Sequence, residues 1–292
     1  MRDFLPAMIL AACCGVTGAA GETTVTPDFS GLWWHPSLPG PEPLASGPTT
    51  VFNRSRTRAG ISNYSQLVGD YTNPILKPEA AEVVKRFGEM SLAGRVFPSP
   101  ANQCWPEPGP FIYKNFALEM FQKPGEITLI YDQDHEVRHV RLNQQHPKNV
   151  KPSWYGDSIG HYEGNDTLVV DTVGIRADRP YAMIDLYGTP YTSALHMIER
   201  YRLIDYYEAK EAIERDKKEN MRVAGRLDPN YRGKYLQVLY TVEDTGVFTT
   251  AWSATATFGK GDPEWPETVC AENPHVYYDK DETVPEAKRS DF

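Results

Sequence analysis

The chain has 292 residues and a formal net charge of −9, with the acid spread along its length rather than gathered in a tail. That balance argues against a nucleic-acid partner, and the length is enough to bury a substantial core without staples. Aromatic residues make up 12% and prolines number 24, a mixture that suits short strands, turns and irregular loops better than long helices.

The first element is an export signal over residues 1–20. Met1-Arg2 gives a positive start, "FLPAMILAA" a short apolar core, and small residues come next, toward a cleavage site near Ala20. The run is too short to span a bilayer. Leu10-Ala11-Ala12-Cys13 also fits a bacterial lipobox, which would leave a lipid anchor on Cys13. Both readings place the mature protein in the periplasm or outside the cell. Residues 21–110 read as an N-terminal arm packed on the strands of residues 111–275, with one strand-like core of its own, "FSGLWWH". One helix is expected over 77–90, where Pro78 suits the first turn and Ala80, Val83, Val84 and Phe87 make an apolar face. The proline-rich 98–110 is a connector.

From 111 onward the period becomes two. "FALEMFQ" (116–122), "EITLIYD" (126–132), "EVRHVRL" (136–142), "GHYEG" and "DTLVVDTVG", 194–204, 234–244 and 251–259 read as strands joined by short turns. The expected fold is all-β: an antiparallel barrel over 111–275, with a C-terminal tail at 276–292. Residues 206–230 interrupt it with a charged helical insertion, over 206–223, that reads as a solvated decoration, a lid or a dimer contact. Cys104 and Cys270 remain once the signal region is set aside. In an oxidising compartment they most simply pair, and free thiols are the alternative.

Gly156-Asp157-Ser158-Ile159-Gly160 has the letters of the α/β-hydrolase nucleophile elbow. The elbow needs a buried strand before the serine and a helix after it. Here a proline-containing polar loop precedes Ser158 and β-branched residues come after it, so a serine hydrolase is the minor reading. The glycines read as backbone bends at the mouth of a strand, and the Ser158 hydroxyl as a local backbone partner.

"GDSIGHYEGNDTLVVDTVGI" resembles the G-x-S-x-G-x-W-E-G-D-T-L-V-V-D-T-x-G-F signature of a large family of exported bacterial proteins. "SALHMIERYRLID" and "TVEDTGVFTTAWSATATF" are similar to two further blocks of that family, and "DFSGLWW" and "VCAEN" to its ends. The resemblance spans about residues 27–275 and implies a lipocalin-like, calycin-type β-barrel. It transfers no catalytic residues. This chain departs from the pattern at Tyr162, where Trp is usual, at Asn165 in the turn, and in the charged insertion.

Alternate residues of a strand share a face. His161 goes with Glu163, His196 with Ile198 and Arg200, and Arg138 with Glu136 and Val140. Apolar positions mixed with His, Glu and Arg suit a pocket for an organic ligand. The expected catalytic set is His196 as general acid or base, with Glu163 or Asp171 as its partner. Arg200, His161, Arg138, Trp154 and Tyr162 are the candidate ligand contacts. Each has a structural alternative: ion pairs between strands for Glu199 and Arg200, a hydrogen-bonded core histidine for His196, turn caps for His161, Glu163 and Asp171. A metal held by His161, Glu163 and His196 is chemically conceivable but lacks ligand spacing. No glycine fingerprint for a nucleotide is present, so no organic cofactor is expected. The partner class is a small apolar or aromatic molecule. The chemistry is a cofactor-free elimination, hydration or isomerisation, with a non-catalytic binding protein as the alternative.

Overall fold

The computed structural model describes residues 26–281, except 56–61, 64, 115–116, 134–135, 180–181, 220–226, 265–266, 268, 271–275 and 278–279. The expected signal peptide and the Cys13 anchor lie outside the described residues. No described helix is long and apolar enough to cross a membrane.

Alternation of buried and more exposed side chains marks β-strands such as Glu126–Tyr131 and Val137–Leu142, while Thr167–Val173 and Trp252–Phe258 are buried along most of their length. The strands are β1 (Gly31–Trp34), β2 (Glu42–Pro43), β3 (Ala117–Lys123), β4 (Glu126–Tyr131), β5 (Val137–Leu142), β6 (Asp157–Glu163), β7 (Thr167–Val173), β8 (His196–Ile204), β9 (Tyr235–Glu243) and β10 (Trp252–Phe258). They form one ten-stranded sheet in the order β1-β3-β4-β5-β6-β7-β8-β9-β10-β2. The sheet curls until Trp34, at the end of β1, exchanges two backbone hydrogen bonds of 2.8 Å with Gly259, just beyond β10. The fold is thus mostly β and barrel-like. The sheet reaches beyond 111–275, because the N-terminal segment supplies β1 and β2. In the tail, β11 (Val276–Tyr277) pairs with β12 (Lys280–Asp281).

Register carries one face around the curl. Trp33, Leu118, Tyr131, Val140, Ser158, Thr172, Met197, Val242 and Trp252 all stand on the concave side, because paired residues share a face. That side is the core. Fully buried Trp252, Tyr201, Tyr240 and Phe258 dominate it, each worth roughly 2–3 kcal/mol in area removed from water. Neighbouring strands are antiparallel with one exception: β5 and β6 run parallel, so residues 143–156 must cross over between them.

Two helices lie on the outside. Helix α1 (Pro78–Leu92) starts on Pro78 and buries Ala80, Val84 and Phe87. Helix α2 (Tyr206–Glu219) is the charged insertion. It is latched to the barrel rather than free in solvent. Ala209 and Ala212 are buried, Arg215 bonds Glu42 of β2, and Asp216 lies 3.8 Å from His35, with both of that pair buried. A charged helix hides this docking because only one narrow stripe of it is apolar. Cys104 and Cys270 are at bonding distance, with sulfurs 2.17 Å apart, so the connector is tied to the C-terminal part.

Candidate functional site

The two sides of the sheet carry two separate polar clusters. Inside, Arg138 reaches from β5 across β6 and β7 to β8. Its Nε donates to Ser158 Oγ (3.0 Å), and its terminal nitrogens donate to Thr172 Oγ1 (2.5 Å) and to both oxygens of Glu199 (2.8 and 2.5 Å). Four donations use most of the five N–H groups a guanidinium owns. Tyr113 and Tyr201 donate to Glu199 Oε1 as well, and their hydroxyls lie 2.7 Å apart. Burial resists the charge on Arg138, but Glu199 beside it outweighs burial and holds the guanidinium charged. Burial, then the Glu199 carboxylate, push the Tyr113 and Tyr201 phenols far up, so both stay neutral donors. Burial takes Tyr131 up to about 12 against the pull of Arg138.

This network revises the expectations for two residues. Arg138, a candidate ligand contact, directs its donors to Glu199, Ser158 and Thr172. Ser158 does not sit in a bend bonding its own backbone. It lies inside β6, buried, with its hydroxyl on Arg138 and 3.0 Å from Thr172. A strand continues after it, not a helix. The two glycines of the motif also have different reasons. Gly156 has φ +71° and a Cβ there would meet Val173 O at 2.6 Å, so it is a true bend. Gly160 is in mid-strand, where a Cβ would meet Val140 at 2.9 Å, so it is a packing glycine.

The convex side carries the histidines. His196 on β8 and Asp171 on β7 meet at 2.9 Å between Nε2 and Oδ1. The crossover loop lays His146 over the same carboxylate, with Nε2 3.2 Å from that oxygen. His146 Nδ1 is 2.6 Å from Asp157 Oδ2, and Arg141 donates to both oxygens of Asp157 at 2.7 Å. Glu243 stands 3.7 Å from His196 Nδ1, beyond hydrogen-bond reach. His146 therefore has both ring nitrogens on carboxylates, whereas His196 has one nitrogen held and one open. The His196 side chain is 31% exposed. Ile159 and Ile198 flank Asp171 in the sheet register and are half-buried, which gives the cluster an apolar floor.

No family model, curated protein or solved structure matches this chain. The geometry of its own residues therefore carries the functional argument.

The remaining candidates scatter. Glu163 is not brought to His196. It lies 3.5 Å from His161 and 3.8 Å from Arg200, all on the convex side, with His161 and Glu163 about half exposed and Arg200 partly buried. Tyr162 points inward at one barrel end and accepts from Gln122 at 3.0 Å. Trp154 lies at the rim under two guanidinium groups, Arg176 at 4.9 Å and Arg179 at 5.0 Å, with its ring edge on Trp105. Among the described residues no group of three or more His, Cys, Asp or Glu side chains is placed to hold a metal ion. Sequence reasoning missed His146 and Asp157 as members of the His196 cluster. Nothing in a strand period marks a loop residue that folds back over the sheet. It also missed the inward role of Glu199, although Leu195, Met197 and Tyr201 on the same face were the signal for it.

Proposed function

We propose that this is an exported enzyme that moves protons on a small apolar or aromatic molecule, by elimination, hydration or isomerisation, with His196 as general acid or base. The observation that carries the reading is the 2.9 Å contact of His196 Nε2 with Asp171 Oδ1. A carboxylate can only accept, so Nε2 donates and the Nδ1 lone pair, with Glu243 Oε2 at 3.7 Å and outside hydrogen-bond reach, is left to take a proton. His146 and Arg141 serve this pair as positioning residues. His146 bridges Asp157 and Asp171, and Arg141 fixes Asp157, so the carboxylate that orients His196 is itself held in place.

Arg200 has a limited part. It shares a face with His196 four residues along β8, about 13 Å away at strand rise. It can hold the far, anionic end of a ligand but not the reacting atoms. Ser158 is in the interior and takes no part.

The test uses the mature protein in D2O with a panel of aryl ketones, enones and β-hydroxy acids, read by mass spectrometry for deuterium at the acidic carbon or for loss of water. Exchange or turnover of at least one compound is expected, with His196→Gln slower by about 10²–10⁴-fold, the usual worth of a placed general base. Equal rates in wild type and His196→Gln would overturn the assignment. Tight binding of a panel member without any turnover would favour the non-catalytic reading.

A further inference from the structure

A cavity lies away from the histidines. It has a volume of about 370 Å³ and sits where the end of α1 meets the connector and the loop before β8. Leu67, Phe87, Phe97, Met183 and Leu186 supply apolar walls, and exposed Arg95 also lines it. None of the residues of the His196 cluster lines it. Phe87 and Met183 belong to a small buried cluster separate from the main core, with Phe97 and Leu186 packed against it. The cavity is thus an opening into a satellite core. The disulfide holds its connector wall, because Cys104 comes soon after that segment and is bonded to Cys270.

The charge on the lining selects the ligand. Arg95 is the one charged side chain among the described lining residues, it is exposed, and it pairs with no carboxylate among the described residues. This is not for want of acid, since the chain carries 39 acidic residues against 30 basic ones. At about 30 Å³ per heavy atom, the share of one liquid water, the cavity takes roughly a dozen heavy atoms. That is too few for a peptide segment of any length and suits a small molecule.

We infer that this cavity binds a small apolar carboxylate, its hydrocarbon body on Phe87, Phe97 and Met183 and its carboxylate on Arg95. A free guanidinium prefers a carboxylate, which it can meet with two parallel N–H donors. The site is separate from the proposed proton-transfer centre and stands or falls without it.

The test is direct titration with decanoate, which has about a dozen heavy atoms, and with 1-decanol as the neutral counterpart. Both should bind saturably, and the methyl resonance of Met183 in ¹³C-methyl-methionine protein should shift with decanoate and be absent from Met183→Leu. Arg95→Gln should weaken decanoate by about three- to tenfold and leave decanol within about twofold. Val96→Glu, at an exposed lining position, should weaken decanoate again without disturbing the fold. Arg95 also stands just past the C-terminal end of α1, where a cation balances the helix dipole. That role alone would lower the melting temperature of Arg95→Gln and leave decanoate affinity unchanged, which would overturn the assignment. So would the absence of saturable binding, or equal decanoate affinity in wild type, Arg95→Gln and Val96→Glu. Loss of proton transfer in His196→Gln with decanoate binding intact would separate the two sites.

Discussion

Replacing Arg138 by Leu tests the interior network most directly. The variant removes a guanidinium that makes four hydrogen bonds to Ser158, Thr172 and Glu199. It leaves the Glu199 carboxylate, 0% exposed, without its cation. Breaking a buried pair in this way costs about 3–5 kcal/mol, chiefly through the charge left behind. For a chain of this size that is a fall in melting temperature of roughly 6–20 °C. The double variant Arg138→Leu/Glu199→Leu should recover most of it, ending within about 2 kcal/mol of wild type, because apolar replacements remove both charges together. The surrounding hydroxyls stay satisfied in that variant, since Tyr113 and Tyr201 pair at 2.7 Å and Ser158 and Thr172 at 3.0 Å. Urea titrations of the four proteins, extrapolated linearly with a check that the slope is unchanged, give the interaction energy. A single variant that loses less than about 1 kcal/mol, or a double variant as unstable as the sum of the singles, would refute the view that the pair locks the interior.

Ser158→Ala should fold but lose about 1–3 kcal/mol, because Arg138 Nε is left unbonded in the core. Wild type should resist a fluorophosphonate probe, and labelling that depends on Ser158 would restore the hydrolase reading. Asp185 is fully buried, and burial pushes its carboxyl up to about 7 from an ordinary 3.8 against hydrogen bonds from Thr189 and Tyr187. The folded state therefore holds that proton more tightly than the unfolded chain. The resulting stability is whole below about pH 4 and is lost as pH rises toward 7, by ~4 kcal/mol at most. Urea unfolding at stepped pH should show this slope in wild type and a flatter one in Asp185→Asn. Reducing Cys104–Cys270 opens a link between residues 166 apart in sequence, worth about 5 kcal/mol in the chain-entropy model. Non-reduced peptide maps should contain the linked pair, and Cys104→Ser should melt well below wild type.

The strands were legible where the period of two is clean, as in "EITLIY", whose burial alternates at every residue, while β7 and β10 showed as β-branched or apolar runs that are buried along most of their length. Period alone does not say which face is inside or which strand is the neighbour. On β8 the face with His196 and Arg200 was open to being a pocket wall, yet the opposite face, with Met197 and Tyr201, is the core side. The contact of His196 with Asp171 was within reach of sequence reasoning, since both stand on outward positions of adjacent strands. His146 was not, because the parallel step from β5 to β6 leaves no trace in composition. Arg215 and Asp216 read as solvent charges in a polar helix. Their docking on Glu42 and His35 depends on partners some 170 to 180 residues away, which only the closed fold brings near.

The parallel step has a further consequence, for the stability of the site rather than its geometry. The crossover loop is fastened by backbone bonds near its two ends, Asn143 N to Gly160 O at 2.7 Å and Ser153 with Gly174 and Arg176 at 3.1 and 2.9 Å. Between them, residues 144–152 make no backbone hydrogen bond to the sheet among the described residues. Such a segment can open at a fraction of the cost of unfolding the barrel. When it opens, Asp171 loses His146 but keeps His196, whose strand remains paired. The barrel and the histidine cluster therefore have separate thermal lives. Amide exchange in the loop should run ahead of exchange in β7 and β8, and mild denaturant should strip His146 from the cluster while the core signal is still native.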